Sequence, residues 1–190
     1  MTLSEKDVED IAKGILTERV ETLKNEVRHC ILLSGETSKI SAPFSALLYC
    51  FSSIDLLGSL YTGKFDERSD TENAKLYMRD LMCYSDLSIA LIQKIFRHKL
   101  VHTAEPKWFY KHDDDTYIWS CYSNNRTKHL ECQVLDSRAR ANNFSISIWS
   151  LAEDIVNSVQ KDNGYLNKLL KKEGDLFEKF SRVFDKISFL

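Results

Sequence analysis

A mainly α fold is what this sequence predicts: a bundle of about five helices with an inserted three-stranded antiparallel β-meander. Three observations carry that expectation. Apolar residues recur at helical spacing over most of the chain. Glycine (6) and proline (2) are too scarce for a sandwich or barrel, which must turn roughly every ten residues. Between Pro106 and Val134 the apolar period drops from 3.6 to 2. With 190 residues, 43% of them hydrophobic, the chain suits one domain, 1–190, interrupted by the meander at about 107–136.

The first helix is expected to start at Ser4, a good N-cap, and to run to about Leu33. Val8, Ile11, Ile15, Val20, Leu23, Val27 and Ile31 form its apolar stripe. Gly35 to Ser41 reads as a loop. Pro43 suits a first helical turn, and the second helix runs to Tyr61, apolar on nearly every face as in a bundle interior. Lys64 to Thr71 reads as a charged loop. A third helix is expected from about Glu72 to His102, ended by Pro106. The strands follow: Trp108 and Tyr110, then Tyr117, Trp119 and Cys121, then Leu130, Cys132 and Val134 alternate. His112–Asp115 and Asn124–Thr127 supply the turns. Helical spacing returns from about Phe144 to Val159 and from Tyr165 to Phe189, where Gly174 is placed to kink or split the last helix.

Lys plus Arg (26) nearly balances Asp plus Glu (28), so no global field draws the chain to nucleic acid or membrane, and any polyanion site must be local. Five cysteines, an odd number without a CxxC pair, fit a reducing cytosol. The acidic, polar start MTLSEKDVED does not read as a signal peptide. Ser41 to Thr62 is apolar but contains Asp55 and five serines, which reads as a buried helix rather than a membrane span. A soluble cytoplasmic protein is expected.

The most informative stretch is Phe96-Arg-His-Lys-Leu-Val-His-Thr-Ala-Glu-Pro106. From Lys94 to His112 there are five Lys or Arg, three His and one acid, a local cationic cluster in a near-neutral chain. A helix C-terminus favours such cations by a few tenths to about 1 kcal/mol, so charge alone says little. Arg97 and His102 say more. Arginine, four residues, then histidine resembles the R-x(4–6)-H motif of the HEPN superfamily, with His98 in the position after the arginine that is often polar. The order of elements is similar too: two long helices, then a helix carrying the motif.

That resemblance implies a metal-independent endoribonuclease without cofactors. The RNA 2′-OH attacks the adjacent phosphate and leaves a 2′,3′-cyclic phosphate. A histidine titrating near neutrality suits the proton transfers, and an always-charged guanidinium suits the phosphorane. The site it implies has Arg97 and His102 as catalytic residues, with His98 in support; Asp55, from its place in an apolar helix, is a further supporting candidate, and Lys94, Lys99 and Lys107 of the cationic cluster are candidates for binding RNA. It also implies a homodimer with paired motifs, and allows an antitoxin or other regulatory partner. One toxin subgroup has a tyrosine two positions after the histidine; here that place is Ala104.

Other readings stand beside it. The same fold can be a non-catalytic module binding nucleotide, RNA or protein. His98 and His102, four apart, have the spacing of a zinc pair, yet Lys99 stands where a metalloprotease helix has glutamate. His129 and Cys132 on a strand are a weaker metal pair. Asp55, an acid in an apolar helix, must be paired or neutralised, by a structural partner or by orienting Arg97 or His102. Trp108, Phe109, Tyr110, Tyr117, Trp119 and Tyr122 are expected mainly as core between sheet and helices. Asp113–Asp115 reads as a solvated hairpin tip, and Arg138 and Arg140 as a solvated basic linker. There is no Walker loop, GxSxG elbow or GxGxxG motif.

Overall fold

The computed structural model describes residues 4–32, 43–65, 70–103 and 105–188. The loop expected at 35–41, residues 66–69 of the charged loop and Ala104 lie outside the described residues. The chain is mostly helical, with a small four-stranded mixed sheet. It divides into two compact units. One comprises Met1–Lys24, Ser52–Tyr84 and Asp154–Leu190; the other comprises Asn25–Phe51 and Ser85–Glu153.

Helix α1 (Glu5–Leu32) begins where Ser4 caps it. The Asp7 N–H donates to Ser4 Oγ at 3.3 Å, and the Asp7 carboxylate accepts from the Ser4 N–H at 3.0 Å, a reciprocal cap. Helix α2 (Pro43–Thr62) has proline in its first turn. Among the described residues it is the one helix long and apolar enough to cross a membrane, and more than half of that window is buried inside the protein.

The expected third helix is broken. Helix α3 (Asp70–Asp80) ends in a turn whose residue Cys83 is left-handed (φ 58°), with the Tyr84 N–H reaching back to Met78 O at 3.0 Å. Ser85 then caps a new helix, accepting from the Ser88 N–H at 3.2 Å. This helix runs as α4 (Asp86–Leu91), a π-helical turn (Ile92–Arg97) and α5 (His98–Thr103).

The meander is also corrected. Strands β1 (Tyr110–His112), β2 (Asp115–Tyr122), β3 (Cys132–Asp136) and β4 (Ala141–Ser147) order as β1-β2-β4-β3. β4 lies between β2 and β3, parallel to the first and antiparallel to the second. Phe144–Ser147, expected as helix, is therefore strand, and α6 (Ile148–Gln160) starts four residues later than predicted. From Asn143 to Ser147 every β4 residue is buried, so the strand is covered on both faces. Two of its polar side chains bond within the sheet, Asn143 Oδ1 accepting from Ser120 Oγ at 3.0 Å and Asn143 Nδ2 donating to Ser145 Oγ at 3.1 Å, while Ser147 Oγ accepts from the Asn125 N–H at 3.0 Å.

In the first unit Leu16, Val20, Leu23, Leu57, Leu60 and Phe180 form the core around an edge-to-face trio, Tyr61, Tyr77 and Tyr165. α2 meets α3 at Gly58, where a Cβ would lie 2.7 Å from the Asn73 carbonyl carbon. Helices α7 (Tyr165–Leu170) and α8 (Leu176–Ser188) are separated at Gly174 (φ 61°), the split that this glycine suggests. In the second unit Phe96 is fully buried, 5.7 Å from Trp119 and 6.3 Å from Phe144 between ring centres. Phe44 closes the other side of Trp119 at 6.0 Å.

Candidate functional site

The site grows from the π turn. The His98 N–H donates to Gln93 O, a span one residue longer than an α-helical bond, so the turn is widened. Ile92, Gln93, Ile95 and Phe96 face inward along it, and Phe96 fixes it against the sheet. The Lys107 N–H donates to Ile95 O at 2.8 Å, which ties the segment after α5 back to the turn.

Arg97 and His98 sit where the π turn passes into α5. Arg97 is half-buried, and its Nη1 donates to Gln93 Oε1 at 3.3 Å. Gln93 is only 3% exposed, and its Nε2 has no hydrogen-bond partner among the described residues. His98 and His102 are both exposed and touch edge to face, with ring centres 5.0 Å apart. One helical turn separates them, which explains the contact. Loss of solvent first, and then the positive charges of His102, Lys94, Lys99 and Arg97, hold the His98 imidazole below its usual 6.5. That favours a neutral ring able to accept a proton.

Lys94 is exposed on the π turn, Lys99 half-buried on α5, and Lys107 exposed beyond it. Lys99, Glu105, Pro106, Lys107, Trp108 and Phe109 line a cavity of about 270 Å³. Trp108 is 81% and Phe109 54% exposed, against the expectation that the aromatics here are core. Tyr117 is buried and Trp119 packs on two phenylalanines, so the expectation holds further along the sheet. Arg97, His98, His102, Lys94, Lys99 and Lys107 thus belong to one unit. Asp55 does not: it is half-buried on α2 in the other unit.

His129 has a structural task, its Nδ1 accepting the Ser147 N–H at 3.2 Å. Asp113, Asp114, Arg138 and Arg140 are exposed, as expected of a solvated tip and linker, and Arg140 joins the two, 2.8 Å from Asp114 and 3.1 Å from Asp115. Among the described residues no group of three or more His, Cys, Asp or Glu is placed to hold a metal ion. Sequence reasoning missed Gln93, whose one sign is an amide within an apolar stripe of Leu91, Ile92, Ile95 and Phe96.

The chain matches no protein-family model, no curated protein and no solved structure.

Proposed function

We propose that this chain is a metal-independent endoribonuclease of HEPN type. The observation that carries the reading is the exposed His98–His102 pair beside Arg97, in a field of lysines. Neutral His98 takes the proton of the RNA 2′-OH, whose oxygen attacks the adjacent phosphorus. The P–O5′ bond breaks as protonated His102 gives its proton to the leaving oxygen. The products are a 2′,3′-cyclic phosphate and a 5′-hydroxyl. Arg97 bears on the phosphorane oxygens, where a fixed guanidinium is worth most. Lys94, Lys99 and Lys107 hold flanking phosphates.

By the same resemblance two copies pair their motifs in a homodimer, with room for an antitoxin or other regulatory partner; the odd, unpaired cysteine set is what suits a cytoplasmic site. A second reading is a non-catalytic RNA-, nucleotide- or protein-binding module. The half-buried Arg97, already bonded to Gln93, favours it. Incubation with total RNA in EDTA separates the two. The nuclease predicts cleavage by the wild type and none by Arg97→Ala/His102→Ala; the binding module predicts none by either.

A further inference from the structure

We propose that Trp108 and Phe109, which line one cavity with Lys99 of α5, form a stacking subsite for an unpaired base of single-stranded RNA. The inference rests on RNA being the ligand of the His98–His102 pair, and it names the form of RNA. An indole 81% exposed next to a phenyl ring 54% exposed is apolar surface left in water while neighbouring aromatics are turned inward. The platform is held from below. Pro106 is buried, the Lys107 N–H is bonded to Ile95 O at 2.8 Å, and Lys107 Nζ lies 5.4 Å from the centre of the Tyr110 ring. A ring presented on a fixed segment stacks at little cost in lost freedom.

The surroundings select the occupant. From Lys94 to His112 five Lys or Arg stand against a single acid, Glu105, so a polyanion is the complementary partner. Lys99 and Lys107 line the same cavity as the two rings, which brings phosphate contacts and a stacking face together. At about 270 Å³ the cavity is smaller than the roughly 300 Å³ at which drug-sized sites begin, and suits one planar ring system. Bases in a duplex have both faces covered by their neighbours, so only a single strand, loop or bulge can use the platform.

The test is binding of a fluorescein-labelled 2′-O-methyl RNA, which lacks the attacking hydroxyl, to the full chain. It is measured for the single strand, its duplex and an abasic strand of equal length, with total-RNA cleavage recorded in parallel. Trp108→Ala is expected to weaken single-strand binding about 5- to 150-fold, the range for one base–aromatic stack. Trp108→Phe is expected to retain most of the affinity, and the abasic strand to bind wild type and Trp108→Ala alike. Single-strand binding by Trp108→Ala within twofold of wild type overturns the subsite, as does equal wild-type affinity for duplex. No RNA binding by the wild type, as expected of a surface that docks protein instead, overturns it too. Cleavage without a Trp108 effect on binding removes the subsite and leaves the nuclease. Binding through Trp108 without cleavage removes the nuclease and leaves the subsite.

Discussion

Replacing Gln93 by methionine is expected to separate stability from activity. Gln93 is almost wholly buried on the π turn, and methionine conserves its volume and shape, so packing is retained. One term is lost: the bond from Arg97 Nη1 to Gln93 Oε1. At 3.3 Å it is long for a charge-assisted bond, so its worth is about 1–1.5 kcal/mol rather than more. One term is gained: Nε2 is buried without a partner among the described residues, and removing it relieves about 1–3 kcal/mol of desolvation. The net change in stability therefore runs from a loss of about 0.5 to a gain of about 2 kcal/mol. The guanidinium, released from one of its anchors, loses orientation worth about one hydrogen bond, or roughly tenfold in rate. Thermal melts and cleavage rates of one preparation read both quantities. A marked fall in Tm would mean that the amide is a structural necessity. Cleavage within twofold of wild type would mean that Gln93 does not position Arg97, and the argument would fail.

The remaining predictions concern other groups. Gly58→Ala forces α2 from the Asn73 backbone, at about 1–3 kcal/mol of strain, and disturbs the 2.8 Å bond from Thr62 Oγ1 to Asn73 Oδ1. Melting should show a Tm lower by roughly 2–12 °C. Because the His98 pKa is lowered, its neutral form persists below pH 6.5. The acid limb of the cleavage rate should therefore have its midpoint under 6.5, and Lys94→Gln should move it up; a midpoint above 6.5 contradicts the base role. Timed alkylation read by mass spectrometry should modify the exposed Cys83 and Cys132 first. Cys121, its thiol pushed up to about 12 by burial, and the fully buried Cys50 should react only on unfolding.

What the sequence made legible followed from local chemistry. Ser4 with Asp7, Pro43 and Gly174 each act through one or two residues, and each does what its side chain or backbone demands. The break after α3 was hidden because its left-handed residue is Cys83 rather than glycine or asparagine, and Ser85 followed by Ser88 is its one surviving sign. The π turn was equally hidden: a 3.6-residue period laid from Leu91 loses phase at Arg97 without any proline or glycine to mark it. β4 reads Phe-Ser-Ile-Ser, a period of two, but its serines are buried as fully as its apolar residues, so alternation marks no exposed face and the segment runs without a break into the helical pattern of α6. Its insertion between β2 and β3 is a long-range pairing that no short window encodes. At the site, the contact of His98 with His102 was within reach of helical geometry. The outward turn of Trp108 was not, since alternation alone assigns no face to water.

The central claim is a metal-free transesterification carried by Arg97, His98 and His102, and the ends of the product test it most directly. A defined single-stranded RNA incubated with the full chain in EDTA should yield fragments with 2′,3′-cyclic phosphate and 5′-hydroxyl ends by mass spectrometry, absent with Arg97→Ala/His102→Ala. Intact RNA with the wild type, equal cleavage by the double variant, or 5′-phosphate ends would contradict it.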